Sequence, residues 1–348
     1  MMILALDLGK SKSVGCILRT IDNTHEFVTV RTTPLQIHNL LVEIAPDRLV
    51  IEVGTPAGWV HDVAAALEIA VQVANPNHEG WRWRNVKRKT DRLDALKLAQ
   101  LSMVDQLPRV HMPDASTRQH RGLIHYRGKL VSRRTRIKNT IRSLVHAQGL
   151  SMLGGARDWT RAGLERLGSW ARPWDQVAST ELWRGELFEE LAALAEIKAQ
   201  LKRVEGKLDE IASNDERVAR LQTIPCVGPR TAELLVAVLD DPHRFKSVKQ
   251  AGSYVGLTPR QYQSGQMDRS GRISKQGHRE LRRMLVEVSW LALRYNPPLR
   301  AVYDRLCHGS VKRRKIAIVA VARKLLTWAW AMLRDKTTWK PPTALQAA

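Results

Sequence analysis

Apolar residues in the first hundred positions fall into short runs separated by helix-spaced stretches. Ile3–Leu8, Ser13–Arg19 and Glu26–Thr32 read as three strands joined by short turns. A helix follows over Leu35–Ile44, a strand over Arg48–Val53 and a helix near Gly58–Leu67. Val71–Ala74 is a further short strand, and Asp91–Val104 reads as a helix. Three adjacent strands, then helix, strand, helix, strand and helix, is the order of a ribonuclease-H-like α/β domain.

Beyond Thr117 the period changes from two to seven. Leu123, Leu130, Ile137 and Leu144 recur on one helical face, with Ile141 and Val145 beside them. Leu187, Leu194, Leu201 and Leu208 make a second series, with Ile197, Val204 and Ile211 as its companion, which predicts a coiled-coil seam. That seam suits either an intrachain hairpin with the first long helix or a dimer. Residues 149–180 have no clear period, and Trp159, Trp170, Trp174 and Trp183 suit either base stacking or small satellite cores. Ile224-Pro225-Cys226-Val227-Gly228, followed by Thr231-Ala232, has the pattern of a helix-hairpin-helix, with Gly228 expected to free the turn. Val311–Leu333 is apolar at helical spacing behind the cluster Lys312-Arg313-Arg314-Lys315, and Lys340–Ala348 reads as a disordered tail. The segments group as 1–110 (α/β), 111–215 (basic helix, connector, coiled coil), 216–335 (mainly helical, with the hairpin and a Gly/Ser loop) and 336–348 (tail). The fold class is therefore α/β plus α.

Charge narrows the partner. The 348 residues hold 56 Lys and Arg against 34 Asp and Glu, a formal charge of +22. Such an excess points to nucleic acid. A membrane partner is not expected, because no uninterrupted run approaches the ~18–20 apolar residues of a spanning helix, and no signal peptide opens the chain. Three distant cysteines, Cys16, Cys226 and Cys307, read as reduced cytosolic thiols, which excludes a disulfide framework and a zinc site. From Thr117 to Gln148 there are nine Arg or Lys and no acid, among them Arg127, Arg133, Arg134, Arg136 and Lys138. A solvated helix face normally mixes signs, so this stretch reads as a phosphate-binding face.

Against that background four acids stand out. Asp7 lies in the first apolar strand, Glu52 ends another, and Asp91 and Asp94 share one face of a helix start. A carboxylate in an apolar strand is costly to bury unless a charge or metal offsets it. Four hard oxygen donors in a polyanion-binding chain suggest Mg²⁺ (or Mn²⁺) acting on phosphodiesters. A helix N-terminal turn also favours acids, which would explain Asp91 and Asp94 but not the strand pair. Lys87, Arg88 and Lys89, with Arg92, would neutralise the site and attract phosphate. Near the other end, Gly256 to His278 combines glycines, hydroxyls and repeated cations, and reads as a phosphate-gripping loop in which one serine could be a nucleophile.

Five motifs occur in one order: Leu6-Asp7-Leu8-Gly9-Lys10, Ile51-Glu52-Val53-Gly54-Thr55, Lys89-Thr90-Asp91-Arg92-Leu93-Asp94-Ala95, Ile224-Pro225-Cys226-Val227-Gly228, and Gly256-Leu257-Thr258-Pro259-Arg260 through Lys275-Gln276-Gly277-His278. Together they resemble the DEDD-type insertion-sequence transposases of the IS110 family, which includes the Piv-like DNA invertases. The resemblance implies a RuvC-like N-terminal domain whose metal-binding tetrad is Asp7, Glu52, Asp91 and Asp94. It also implies a coiled coil and a C-terminal transposase domain with a catalytic serine. That serine follows Pro-Arg-x-Tyr-x, which here makes it Ser264; Ser270 and Ser274 do not match the position. Cys226 stands where the family's hairpin more often has Gly. Family membership further implies guidance by a non-coding bridge RNA that pairs with donor and target double-stranded DNA, and a homo-oligomer that reaches a synaptic tetramer. The site of action would then be the bacterial cytoplasm, at the nucleoid. Gly228, Arg230, Arg260, Arg269, Arg272, Lys275 and His278 would steady phosphates. Two rivals stay open: a hydrolytic RuvC-like junction nuclease that uses only the tetrad and water, and a non-catalytic nucleic-acid-binding protein.

Overall fold

A computed structural model of the chain describes residues 1–75, 90–264 and 267–341. It divides into two compact units, Met1–Arg118 and Gln119–Ala348, so the segment expected as 111–215 belongs almost wholly to the second.

The first unit is one five-stranded sheet with helices on both faces. Its strands are β1 (Met2–Asp7), β2 (Lys12–Arg19), β3 (Thr24–Arg31), β4 (Arg48–Glu52) and β5 (Ala70–Ala74), in spatial order β3-β2-β1-β4-β5. The first three pair antiparallel, and β4 and β5 run parallel to β1. This is the arrangement expected of a ribonuclease-H-like sheet. Side chains of a strand alternate between faces, and the two faces hold separate cores. Leu4, Leu6, Leu49 and Ile51 pack under α1 (Pro34–Ile44) and α2 (Ala57–Ala66). Ile3, Ala5, Cys16 and Val50 pack under α3 (Asp91–Met103), which offers Ala95, Leu98 and Ala99. The small alanines let α3 lie close to the sheet. Thr90 caps its start, its hydroxyl accepting from the Leu93 amide at 3.3 Å.

The second unit is mostly helical. The long helix α4 (Ala115–Ala147) enters it, followed by α5 (Arg161–Trp170) and a second long helix, α6 (Trp183–Ser213). Leu130, Ile141 and Val145 of α4 share one core with Leu187, Leu194, Ile197 and Leu201 of α6, so the heptad series of α6 is covered within the chain. Trp159, Trp170 and Trp183 pack against this core, and Lys138 and Arg142 lie over the Trp159 ring at 4.7 and 5.2 Å. The connector is thus a satellite core built on α5, although its sequence shows no period.

A second core gathers α7 (Glu216–Gln222), α8 (Pro229–Leu239), α9 (Val248–Val255), α10 (Arg279–Tyr295), α11 (Pro297–Cys307) and α12 (Arg314–Asp335). The strands β6 (Pro259–Ser264) and β7 (Met267–Ile273) form an antiparallel ribbon between α9 and α10. Among the described residues one helix, α12 with the turn before it, is long and apolar enough to cross a membrane by length and composition, although Arg323 and Lys324 interrupt its apolar run as the sequence expectation has it. Its apolar face is spent on the core: Val321, Ala322, Leu325 and Ala329 are buried there.

One turn departs from expectation in an informative way. Between α7 and α8 the left-handed residue is Cys226, at φ 83°, whereas Gly228 is extended at φ −83° and ψ 174°. Gly228 therefore does not free the turn; Cys226 carries the conformation that a side chain resists. Burial also pushes the Cys226 thiol up to about 11, so it stays neutral at ordinary pH. Replacing Cys226 with Gly is expected to raise stability by roughly 0.5–1 kcal/mol, the relieved strain exceeding the lost thiol packing. Chemical denaturation would show this as a higher midpoint; a lower one would mean that packing dominates.

Candidate metal centre and serine hairpin

The first unit carries four acids to one end of its sheet. In the parallel register Leu6 faces Ile51, so Asp7 and Glu52, the next residues, are neighbours at the ends of β1 and β4. Both end their strands, whereas Asp7 was expected in a strand interior. By alternation they share the face of Ile3, Ala5 and Val50, which is the face α3 covers.

The direction of α3 follows from its far end. Arg48, at the start of β4, donates to the carbonyl and hydroxyl of Ser102, both at 3.2 Å, and the Ser102 hydroxyl donates to Gln72 at 2.8 Å. Ser102 is 1% exposed, so these bonds pin the end of the helix over the strand starts. From Asp91 to Ser102 the helix rises about 17 Å, slightly more than the ~13 Å from Arg48 to Glu52. Asp91 and Asp94 therefore lie at the end of the sheet where Asp7 and Glu52 emerge. Asp94 is 6% exposed, Asp7 and Glu52 are half-buried, and Asp91 is exposed.

The donor set is all carboxylate, which suits a hard divalent cation. Among the described residues no three His, Cys, Asp or Glu side chains already stand in a metal-sized cluster. Arg92 does not face the acids; its guanidinium lies 5.6 Å from the ring centroid of Phe27. Lys87, Arg88 and Lys89 lie outside the described residues.

Ser264 belongs to the second unit. It is the last residue of β6, exposed, and pairs with Met267 across the ribbon tip. Arg260 and Tyr262 alternate onto its face, and Arg269 stands opposite Tyr262. Arg260, Arg269, Arg272 and Lys275 are all exposed, which leaves the ribbon strongly basic. Two left-handed glycines build its base, Gly256 at φ 75° and Gly277 at φ 86°. A methyl group on Gly256 would overlap the Gln276 carbonyl, and one on Gly277 would overlap the Tyr254 carbonyl. Arg282 ties the same place together by donating to the Val255 carbonyl at 2.8 Å and the Gln276 carbonyl at 3.3 Å.

Several expected phosphate contacts are engaged within the chain. Arg127 pairs with Glu205 at 2.7 Å, and Arg230 pairs with Glu233 at 2.8 Å and with Asp209. His278 caps α10, its Nδ1 accepting from the Leu281 amide at 3.2 Å, and burial lowers its pKa, so it acts as a neutral acceptor. Gly228 caps α8 with no side-chain bond, leaving that helix start to its backbone amides. Lys138 is turned onto Trp159, whereas Arg133, Arg134 and Arg136 form no ion pair among the described residues. Sequence reading missed these pairings because their partners lie far off in the chain: Glu205 is 78 positions from Arg127.

Two family models match the chain. Residues 4–148 match a family of DEDD transposases of IS110 elements, and residues 218–304 match the family described as Transposase IS116/IS110/IS902. A putative transposase of Sinorhizobium fredii, y4pF/y4sB, is 30% identical over 78% of this chain and 67% of its own. The transposase for insertion sequence element IS1111A of Coxiella burnetii is 26% identical over 97% of this chain and 91% of its own. A pilin gene-inverting protein of Moraxella lacunata is 34% identical over 34% of this chain and 37% of its own. Among solved structures, Thermus thermophilus RuvC aligns with 32% of this chain and 100% of its own at 12% identity and a TM-score of 0.24, too low to bear on the fold. These matches define an insertion-sequence transposase, an enzyme that cuts and rejoins DNA. The chain belongs to the IS116/IS110/IS902 family of transposases.

The base of the ribbon generates a test. Gly256→Ala or Gly277→Ala combines a left-handed φ with a backbone overlap and should cost about 2 kcal/mol or more. Hydrogen exchange should show residues 256–278 losing protection while the sheet of the first unit keeps its own. Unchanged protection of the ribbon would contradict the role given to the two glycines.

Proposed function

We propose that this transposase cuts and rejoins DNA strands through a covalent phosphoserine, using the Asp7, Glu52, Asp91, Asp94 set as its divalent-metal site and Ser264 as nucleophile. The observation that carries the reading is the sheet-end placement of two strand carboxylates beneath a helix start bearing two more. These four would hold Mg²⁺ or Mn²⁺, which when bound offsets the negative charge that builds on a scissile phosphate.

Ser264 Oγ forms an ester to phosphorus as the bond from phosphorus to the departing nucleoside oxygen breaks. The proton lost by Ser264 is returned to that oxygen, which leaves as a hydroxyl. One phosphoester is exchanged for another, so attack by a second strand's hydroxyl reverses the step without ATP. Arg260, Arg269, Arg272 and Lys275 support the reading by surrounding the exposed serine with cations that steady phosphate oxygens. A bridge RNA that pairs with donor and target DNA, and a synaptic tetramer, complete the proposal, and the +22 charge of the chain suits so much phosphate. Inversion of a segment in place of transposition is favoured as a second outcome by the similarity to the pilin gene-inverting protein.

The test is a denaturing gel of protein incubated with Mg²⁺, element-end DNA and RNA transcribed from the element's flank. Wild type should give a protein–DNA adduct, and Ser264→Ala should give neither adduct nor nick. Asp94→Asn should cut more than about a hundredfold less. Nicking by Ser264→Ala at the wild-type rate would instead assign the protein to hydrolysis by water.

A further inference from the structure

The second unit holds a groove of about 820 Å³ that the tetrad and the serine ribbon do not use. One wall is α4, where Lys129, Arg133 and Arg136 stand at i, i+4 and i+7 and so form one stripe. The other wall is the start of α10, with Arg279 and Arg283 one turn apart. Other cations of α4 are engaged: Arg127 with Glu205, Arg142 with Asp158, and Arg121 with the carbonyls of Ala237 and Val238. Those of the stripe have no ion-pair partner among the described residues, and Arg283 has only a surface pair with Glu287 at 3.7 Å. The one acid lining the groove, Glu280, lies 3.6 Å from His125, which faces it from α4. Six Lys and Arg side chains line the concavity, Arg121 among them, and a polyanion relieves their mutual repulsion.

We propose that this groove holds the sugar-phosphate backbone of an unpaired nucleic-acid strand, without reading its bases. The partner class rests on the recombinase reading above. The stripe from Lys129 to Arg136 runs about 10 Å along the helix, long enough to meet successive phosphates of one strand. The lining includes no Phe, Tyr or Trp, and its two imidazole rings are engaged, His125 with Glu280 and His278 with the Leu281 amide. Cations on both walls can reach the phosphates of one strand lying between them. Gly122 and Gly128 keep the α4 wall low; a methyl group on Gly128 would come within 2.7 Å of the Glu280 carboxylate.

Fluorescence anisotropy of the full chain with labelled 20-nucleotide strands, deoxythymidine or uridine, and a 20-base-pair duplex tests this. The groove variant is Arg133→Gln, Arg136→Gln, Arg279→Gln. Its control, Arg161→Gln, Arg203→Gln, Arg300→Gln, removes equal charge from exposed surface pairs of the same unit. The groove variant should bind single strands at least tenfold more weakly at 0.15 M salt, and its slope of log affinity against log salt should be shallower by about two. The control should change less than threefold, and the duplex should lose less than the strands. A larger loss for uridine assigns the groove to RNA; a larger loss for deoxythymidine assigns it to DNA. Equal losses in variant and control, or a duplex loss as large as that of the strands, would overturn the proposal. The assay needs neither metal nor cleavage, so it stands if Ser264→Ala still nicks DNA, and its failure leaves the adduct experiment intact.

Discussion

The catalytic reading depends on how α3 is laid across the sheet. The helix is held at its C-terminal end by Arg48, Ser102 and Gln72, a buried chain of hydrogen bonds that would cost free energy if left unpaired. Its middle is held by Ala95, Leu98 and Ala99 against Ile3, Ala5 and Val50. With both fixed, the first turn has one place to go, over the ends of β1 and β4. The acids are thus carried to one end of the sheet by packing that contains no acid.

That separation explains what could be read from the chain and what could not. Each strand and helix of the first unit was legible because a period of two or 3.6 is a local property, and Asp7 and Glu52 were conspicuous for breaking it. The Arg48–Ser102 bond, spanning 54 positions, has no local signature. Cys226 illustrates the opposite case: its residue type was noted as unusual for the turn, but only its φ of 83° identifies it, and not Gly228, as the left-handed residue.

Charge was legible in total and not in detail. Nine cations without an acid on one helix predicted a single phosphate-binding face. In the fold, acids from α6 and from the segment before α5 reach in and neutralise Arg127 and Arg142. What remains is a narrower stripe facing α10, which no periodicity in either helix alone announces. The serine ribbon is the clearer case, because Gly256 and Gly277 mark both ends of its base and Ser264 ends β6 at the tip between them.

The sheet-end carboxylates as a metal site are the centre of this account, and Mn²⁺ binding followed by electron paramagnetic resonance examines them without DNA or RNA. Wild type should bind the ion, and Asp94→Asn should lose that binding. Mn²⁺ binding that is undiminished in Asp94→Asn would contradict the assignment.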